Sequence, residues 1–158
     1  EGLSADACSA DVDAVQQLVA RSVEIKADVV SRDERATGER IVLNYGHTFG
    51  HAIDLVSGRL EDQGESVALG MMAAAHLARR QGRIGDDVVD HHRRLLSSLG
   101  LPTSGRFDLA AMQRAWLRDK KYRHGVRFVV LNGLGRAEAG VTASAEMLAD
   151  VLDDVASS

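Results

Sequence analysis

Valines at 12, 15, 19, 23 and 30 recur at the spacing of one helical face, which predicts a helix from Asp11 to about Val30 turned toward a core. Lys26 falls on that stripe, so its ammonium must snorkel to the edge or enter a polar cavity. From Ser31 to Arg40 the charges Arg32, Asp33, Glu34, Arg35, Glu39 and Arg40 surround Gly38 without an apolar period, the pattern of a charged loop. Glu65 to about Arg80 is apolar nearly all round and rich in small residues, which predicts a central helix with close neighbours on every side. Asp86 to Leu99 carries Val88, Val89, His92, Leu95, Leu96 and Leu99 at helical spacing, with Gly100 and Pro102 as stop signals. His91 and His92, with no paired carboxylate or cysteine, read as structural or surface residues on that helix.

Asp108 caps a shorter amphipathic helix through Leu109, Met112, Ala115 and Trp116, and Ser144 caps a final one built on Met147, Leu148, Val151, Leu152 and Val155. Between them, Val126 to Leu131 is a β run, and Asn132–Gly133–Leu134–Gly135 supplies the turn into a return strand near Arg136 to Ala139. The fold expected is mainly α: a compact multi-helix domain with one short antiparallel β-hairpin near 126–139. With no repeat or low-complexity linker, a single domain is drawn over residues 1–158.

Composition narrows the picture. The hydrophobic share of 45% in 158 residues closes one core, and 4% aromatic content with one Pro favours packed helices over a β-sandwich. Nineteen basic against 23 acidic residues, with no basic run or aromatic stripe, argue against a nucleic-acid partner. Cys8 is the single cysteine, so an internal disulfide framework and multi-cysteine zinc motifs are excluded, and a cytoplasmic location is expected. The longest uncharged apolar stretch, Ser66 to Ala75, is far short of the ~20 residues of a membrane span, and no secretion signal opens the chain. The start at Glu1, without Met, points to a piece of something longer.

The segment from Ile41 to Asp54 carries the chemistry. As a helix from about Asn44, at ~100° per residue, it places Asn44, His47, His51 and Asp54 on one face and Phe49, Ala52, Ile53 and Val56 on the other. Histidines at i and i+4 suit one metal, one anion or an exposed surface, and spacing alone does not choose among them. Gly46 and Gly50 lower helix propensity and are suited to close approach by a backbone or ligand.

Taken together, Lys26–Ala27, Asp33–Glu34, Gly38-x-Arg40, the run Leu43 to Ile53, Gly64–Glu65-x-Val67 and Asp119–Lys120–Lys121 resemble the C-terminal helical domain of the 3-dehydroquinate synthase family, in the sugar phosphate cyclase superfamily. The resemblance spans about residues 10 to 140. It implies an enzyme, a phosphate lyase and cyclase of the shikimate pathway. Such an enzyme closes a seven-carbon sugar-acid phosphate to 3-dehydroquinate with loss of phosphate, using NAD and a divalent metal, zinc or cobalt. By that analogy Lys26 and Arg40 hold the substrate carboxylate, while Asn44, His51 and a lysine of Lys120 and Lys121 hold the phosphate. His51, Lys120 and Lys121 carry the catalytic assignment, and His47 is a metal ligand.

Two departures from the family pattern bear on function. Gln63 stands where the family has its second histidine ligand, and an amide oxygen is a poor zinc ligand beside imidazole. No glycine-rich βαβ unit is present, so the NAD-binding N-terminal half is missing. The chain alone is therefore expected to be inactive and to bind neither NAD nor metal stoichiometrically, with that half and, in the full enzyme, a second copy as partners. Alternatives are a 2-deoxy-scyllo-inosose synthase-like cyclase and a non-catalytic binding module. A His-x-x-x-His metallohydrolase is weakened because Thr48 occupies the place of its general-base Glu.

Overall fold

The chain is described by a computed structural model that covers residues 12–33, 39–58, 63–118 and 125–158. Lys120 and Lys121, and residues 34–38 of the charged loop, lie outside the described residues. The elements in order are α1 (Val12–Arg32), a 3-10 segment (Glu39–Asn44), α2 (His47–Ser57), α3 (Gln63–Arg80), α4 (Asp86–Ser98), α5 (Leu109–Arg118), β1 (Phe128–Leu131), β2 (Ala137–Val141) and α6 (Ala145–Ala156). The mainly α fold with one hairpin is as the sequence pattern predicts. No described helix is long and apolar enough to cross a membrane.

α3 is the central element, with α2, α4, α6 and β1 packed around it. Its small side chains explain why: Ala68, Leu69, Gly70 and the run from Met72 to Ala78 are all buried. Gly70 permits the closest crossing, since a Cβ there would overlap the Gly46 carbonyl oxygen and the Gly50 nitrogen of the α2 segment. Both helix caps form as expected. Asp108 accepts from the backbone N–H groups of Ala110 at 3.1 Å and Ala111 at 3.2 Å, and the Ser144 hydroxyl accepts from Met147 N–H at 3.1 Å. The hairpin pairs Phe128 with Val141 and Leu131 with Ala137, with an irregularity between Phe128 and Val130. Relative to the expected bounds, β1 begins later and β2 ends later. At the far end of α3, Asp154 of α6 accepts from Arg79 Nη2 at 2.9 Å and from Arg80 Nε at 2.6 Å, tying the two helices together.

α1 corrects one expectation. The helix is there, but no described residue of it is buried, and Val12 and Val23 are 75% and 61% exposed. The valine stripe has the period of a core face without a covering element among the described residues. Lys26 is accordingly exposed on α1 and does not sit in a core-facing row. α1 meets the rest of the fold at its C-terminal end, where Val29 and Arg32 line a cavity with Val42, Tyr45 and hairpin residues.

Candidate active site

The helix expected to begin at Asn44 begins at His47 instead. Asn44 closes the 3-10 segment, and Gly46 follows in the left-handed region at φ +79°, a conformation that ends one helix and starts the next. The same turn brings the Gly46 carbonyl against Gly70 and lets it accept from Gly50 N–H at 2.9 Å.

The single polar row expected from the sequence is thereby divided. Asn44, His47 and His51 share a cavity of about 250 Å³ with Ile41, Thr48 and Arg127, although Asn44 is not on their helix. Asp54 turns inward instead, 7% exposed, and its Oδ1 has no hydrogen-bond partner among the described residues. Phe49, Ala52 and Ile53 are buried on the packing face, whereas Val56 at the helix end remains exposed.

The histidine rings stand 5.8 Å apart between centroids at 68°. His47 Nδ1 lies 3.2 Å from the Tyr45 carbonyl oxygen, which only accepts, so Nδ1 carries the proton and Nε2 presents a lone pair. Tyr45 is held in turn by α4. His92 Nδ1–H donates to the Val88 carbonyl at 2.8 Å, which leaves Nε2 to accept from the Tyr45 hydroxyl at 3.1 Å. Burial pushes the Tyr45 phenol well above its usual range and pulls the His92 imidazole down, so both stay neutral. His92 thus has a structural part, as the sequence suggests, and His91 is exposed.

Below the cavity, Phe49 stacks on Phe128 at 4.6 Å, with Trp116 edge-on to both. Trp116 Nε1–H donates to the Thr48 carbonyl at 2.8 Å, and the Thr48 hydroxyl donates to the Arg127 carbonyl at 3.0 Å. These two bonds fix the helix of histidines to α5 and to the approach to β1.

His47 also faces a second cavity of about 370 Å³, shared with Gln63, Gly64 and Val67. A zinc centre takes three or four nitrogen, sulfur or carboxylate ligands. Among the described residues no group of three His, Cys, Asp or Glu converges, and Gln63 is exposed. His47 is therefore ready as a single ligand, and the described residues do not themselves complete a zinc centre.

Lys26 and Arg40 do not line the cavity of Asn44, His47 and His51. Arg40 is half-buried on the 3-10 segment, and its backbone N–H donates to Asp33 Oδ2 at 3.1 Å. Arg127, which does line the cavity, escaped the sequence reading. It precedes a strand, and only the docking of that strand on α2 brings it to the histidines.

A helical domain with a polar, imidazole-lined cavity resting on an aromatic floor is the class of unit that this fold and site define. Its fold is shared with solved sugar phosphate cyclases. A 2-deoxy-scyllo-inosose synthase solved with carbaglucose-6-phosphate, NAD+ and Co2+ matches with a TM-score of 0.74 at 24% identity, over 84% of this chain and 40% of that one. The 2-epi-5-epi-valiolone synthase of Streptomyces hygroscopicus subsp. jinggangensis 5008, with NAD+ and Zn2+ bound, matches with a TM-score of 0.76 at 17% identity, over 93% and 41%.

Residues 2–122 match the family described as 3-dehydroquinate synthase C-terminal, and the chain belongs to that family. It is 49% identical over 124 residues to the 3-dehydroquinate synthase of Corynebacterium pseudotuberculosis, covering 76% of this chain and 34% of that protein. The enzyme of the same name from Arthrobacter sp. is 48% identical over 124 residues, covering 77% and 34%. The chain thus spans about a third of the length of the curated relatives it matches.

Proposed function

We propose that this chain is the substrate-binding C-terminal part of an enzyme that closes a seven-carbon sugar-acid phosphate to 3-dehydroquinate, releasing phosphate, in the shikimate pathway. The observation that carries this reading is the convergence of Asn44, His47 and His51 in one cavity, on the segment through which the chain resembles its family. Residues 1–158 act as one helical unit, inactive alone. We assign nucleotide binding to the part of such an enzyme outside the third of its relatives' length that this chain spans.

This reading gives the residues present roles in binding the substrate and in the departure of phosphate. The Asn44 amide and the His51 imidazole donate to phosphoryl oxygens, and these bonds strengthen as the carbon–oxygen bond breaks and charge builds on the leaving group. By the family resemblance, Lys120 or Lys121 is assigned the positive charge that answers the phosphate. Lys26 and Arg40 meet the carboxylate once the rest of the enzyme completes the pocket. The Phe49–Trp116–Phe128 cluster packs α2 against α5 and β1, which positions His51. NAD supplies the redox chemistry of the family reaction when bound by the complete enzyme.

Gln63 favours a second reading, a non-catalytic relative that binds the phosphorylated ligand without turning it over. One experiment separates these and tests substrate choice. The chain is assembled with the nucleotide-binding part of a 3-dehydroquinate synthase, its zinc content is measured, and it is offered the seven-carbon acid phosphate or glucose 6-phosphate. Stoichiometric zinc with turnover of the acid substrate is expected. Turnover of glucose 6-phosphate alone would reassign the substrate, and ligand binding with neither zinc nor turnover would establish the binding module.

A further inference from the structure

We propose that Arg127 is a further substrate-binding residue, whose guanidinium takes the phosphoryl group of the ligand in the cavity of Asn44, His47 and His51. The inference rests on the phosphate-eliminating reading above and adds to it a further cation for the anion, this one among the described residues. The polar residues lining the cavity, among the described ones, are Asn44, His47, Thr48, His51 and the exposed Arg127, with no Asp or Glu among them. The Thr48 hydroxyl is already committed to the Arg127 carbonyl. A phosphate monoester carries close to two negative charges at neutral pH. Of the described lining residues, Arg127 alone brings a fixed positive charge.

Its geometry suits the task. The backbone of Arg127 is pinned to the histidine helix by the Thr48 bond at 3.0 Å. Its Nη1–H donates to the Gly140 carbonyl at 3.2 Å, which holds the guanidinium beside the hairpin that walls the cavity. One of five N–H donors is used in that bond, and no carboxylate pairs with Arg127 among the described residues. An exposed guanidinium with spare donors beside the cavity can offer two parallel bonds to phosphoryl oxygens, a fork that a lysine lacks.

The test titrates inorganic phosphate into the 158-residue chain and follows the His47 and His51 imidazole signals by NMR, for the wild type, R127Q and R127K. The wild type is expected to show saturable shifts. R127Q is expected to bind about 10- to 100-fold more weakly, as befits loss of a charge-assisted hydrogen bond, with R127K intermediate because it keeps the charge but not the fork. An unchanged thermal midpoint shows that R127Q folds. Equal binding by wild type and R127Q, or no saturable shift in the wild type, would overturn the assignment. A parallel assay in the assembled enzyme keeps the two readings apart. Phosphate binding that depends on Arg127 without turnover leaves this inference standing and removes the proposed reaction. Turnover with a KM unchanged in R127Q does the reverse.

Discussion

His76 is a buried imidazole, 3% exposed, on the face of α3 that meets α6. Its Nε2 is 2.8 Å from the Ser158 hydroxyl, whose own proton goes to the Asp154 carbonyl at 2.8 Å, so the Nε2–H donates and Nδ1 is left without a donor. Burial, opposed by Asp154 and reinforced by Arg79, Arg93 and Arg80, brings its pKa from 6.5 down to about 4. Between those values the unfolded chain holds a proton that the folded one lacks. Stability therefore falls as pH drops from about 6.5 toward 4 and levels off below, by roughly 3 kcal/mol for this group. His92, lowered by burial, adds in the same direction. Urea unfolding at pH 7 and pH 4.5 should show this loss in the wild type and a slope smaller by about one proton in His76→Gln; identical slopes would remove His76 from the account. Asn44, His47 and His51 could be read from the sequence because their motif is local. Arg127 could not, because 76 residues separate it from His51 and a hydrogen bond from Thr48, not periodicity, unites them.

The crossing of α2 over α3 sets the position of the histidines, and it depends on Gly70 lying against the turn at Gly46. A methyl group there meets backbone atoms that cannot rotate away, so Gly70→Ala must push the two segments apart. The expected cost is about 2 kcal/mol or more, read as a lower denaturation midpoint, with the His47 and His51 resonances displaced. Wild-type stability with unmoved imidazole signals would show that the crossing is not tight. Elements whose partners lie within the chain were legible: α3 from its all-round apolar pattern, α4 to α6 from their periods and caps. The start of α2 was not, because Gly46 at φ +79° interrupts a polar row that continues on paper from Asn44 to Asp54. The α1 stripe has the period of a buried face, yet its valines are exposed among the described residues, because periodicity reports an apolar face without showing that anything covers it.

At the scale of the molecule, the exposed valines of α1, the absence of a convergent metal-ligand group among the described residues and the absence of Lys26 and Arg40 from the cavity lining fit one explanation. The curated relatives are about three times as long as the matched segment, and on the proposed function the rest of such a polypeptide completes the site. The central claim is that the cavity on α2 grips the phosphate that departs. Its most direct test is orthophosphate release from the seven-carbon substrate by the assembled enzyme, wild type against His51→Ala, with NAD and zinc saturating. Loss of one donor to the leaving group predicts a fall in kcat/KM of about 100-fold. Release by His51→Ala at the wild-type rate would contradict the claim.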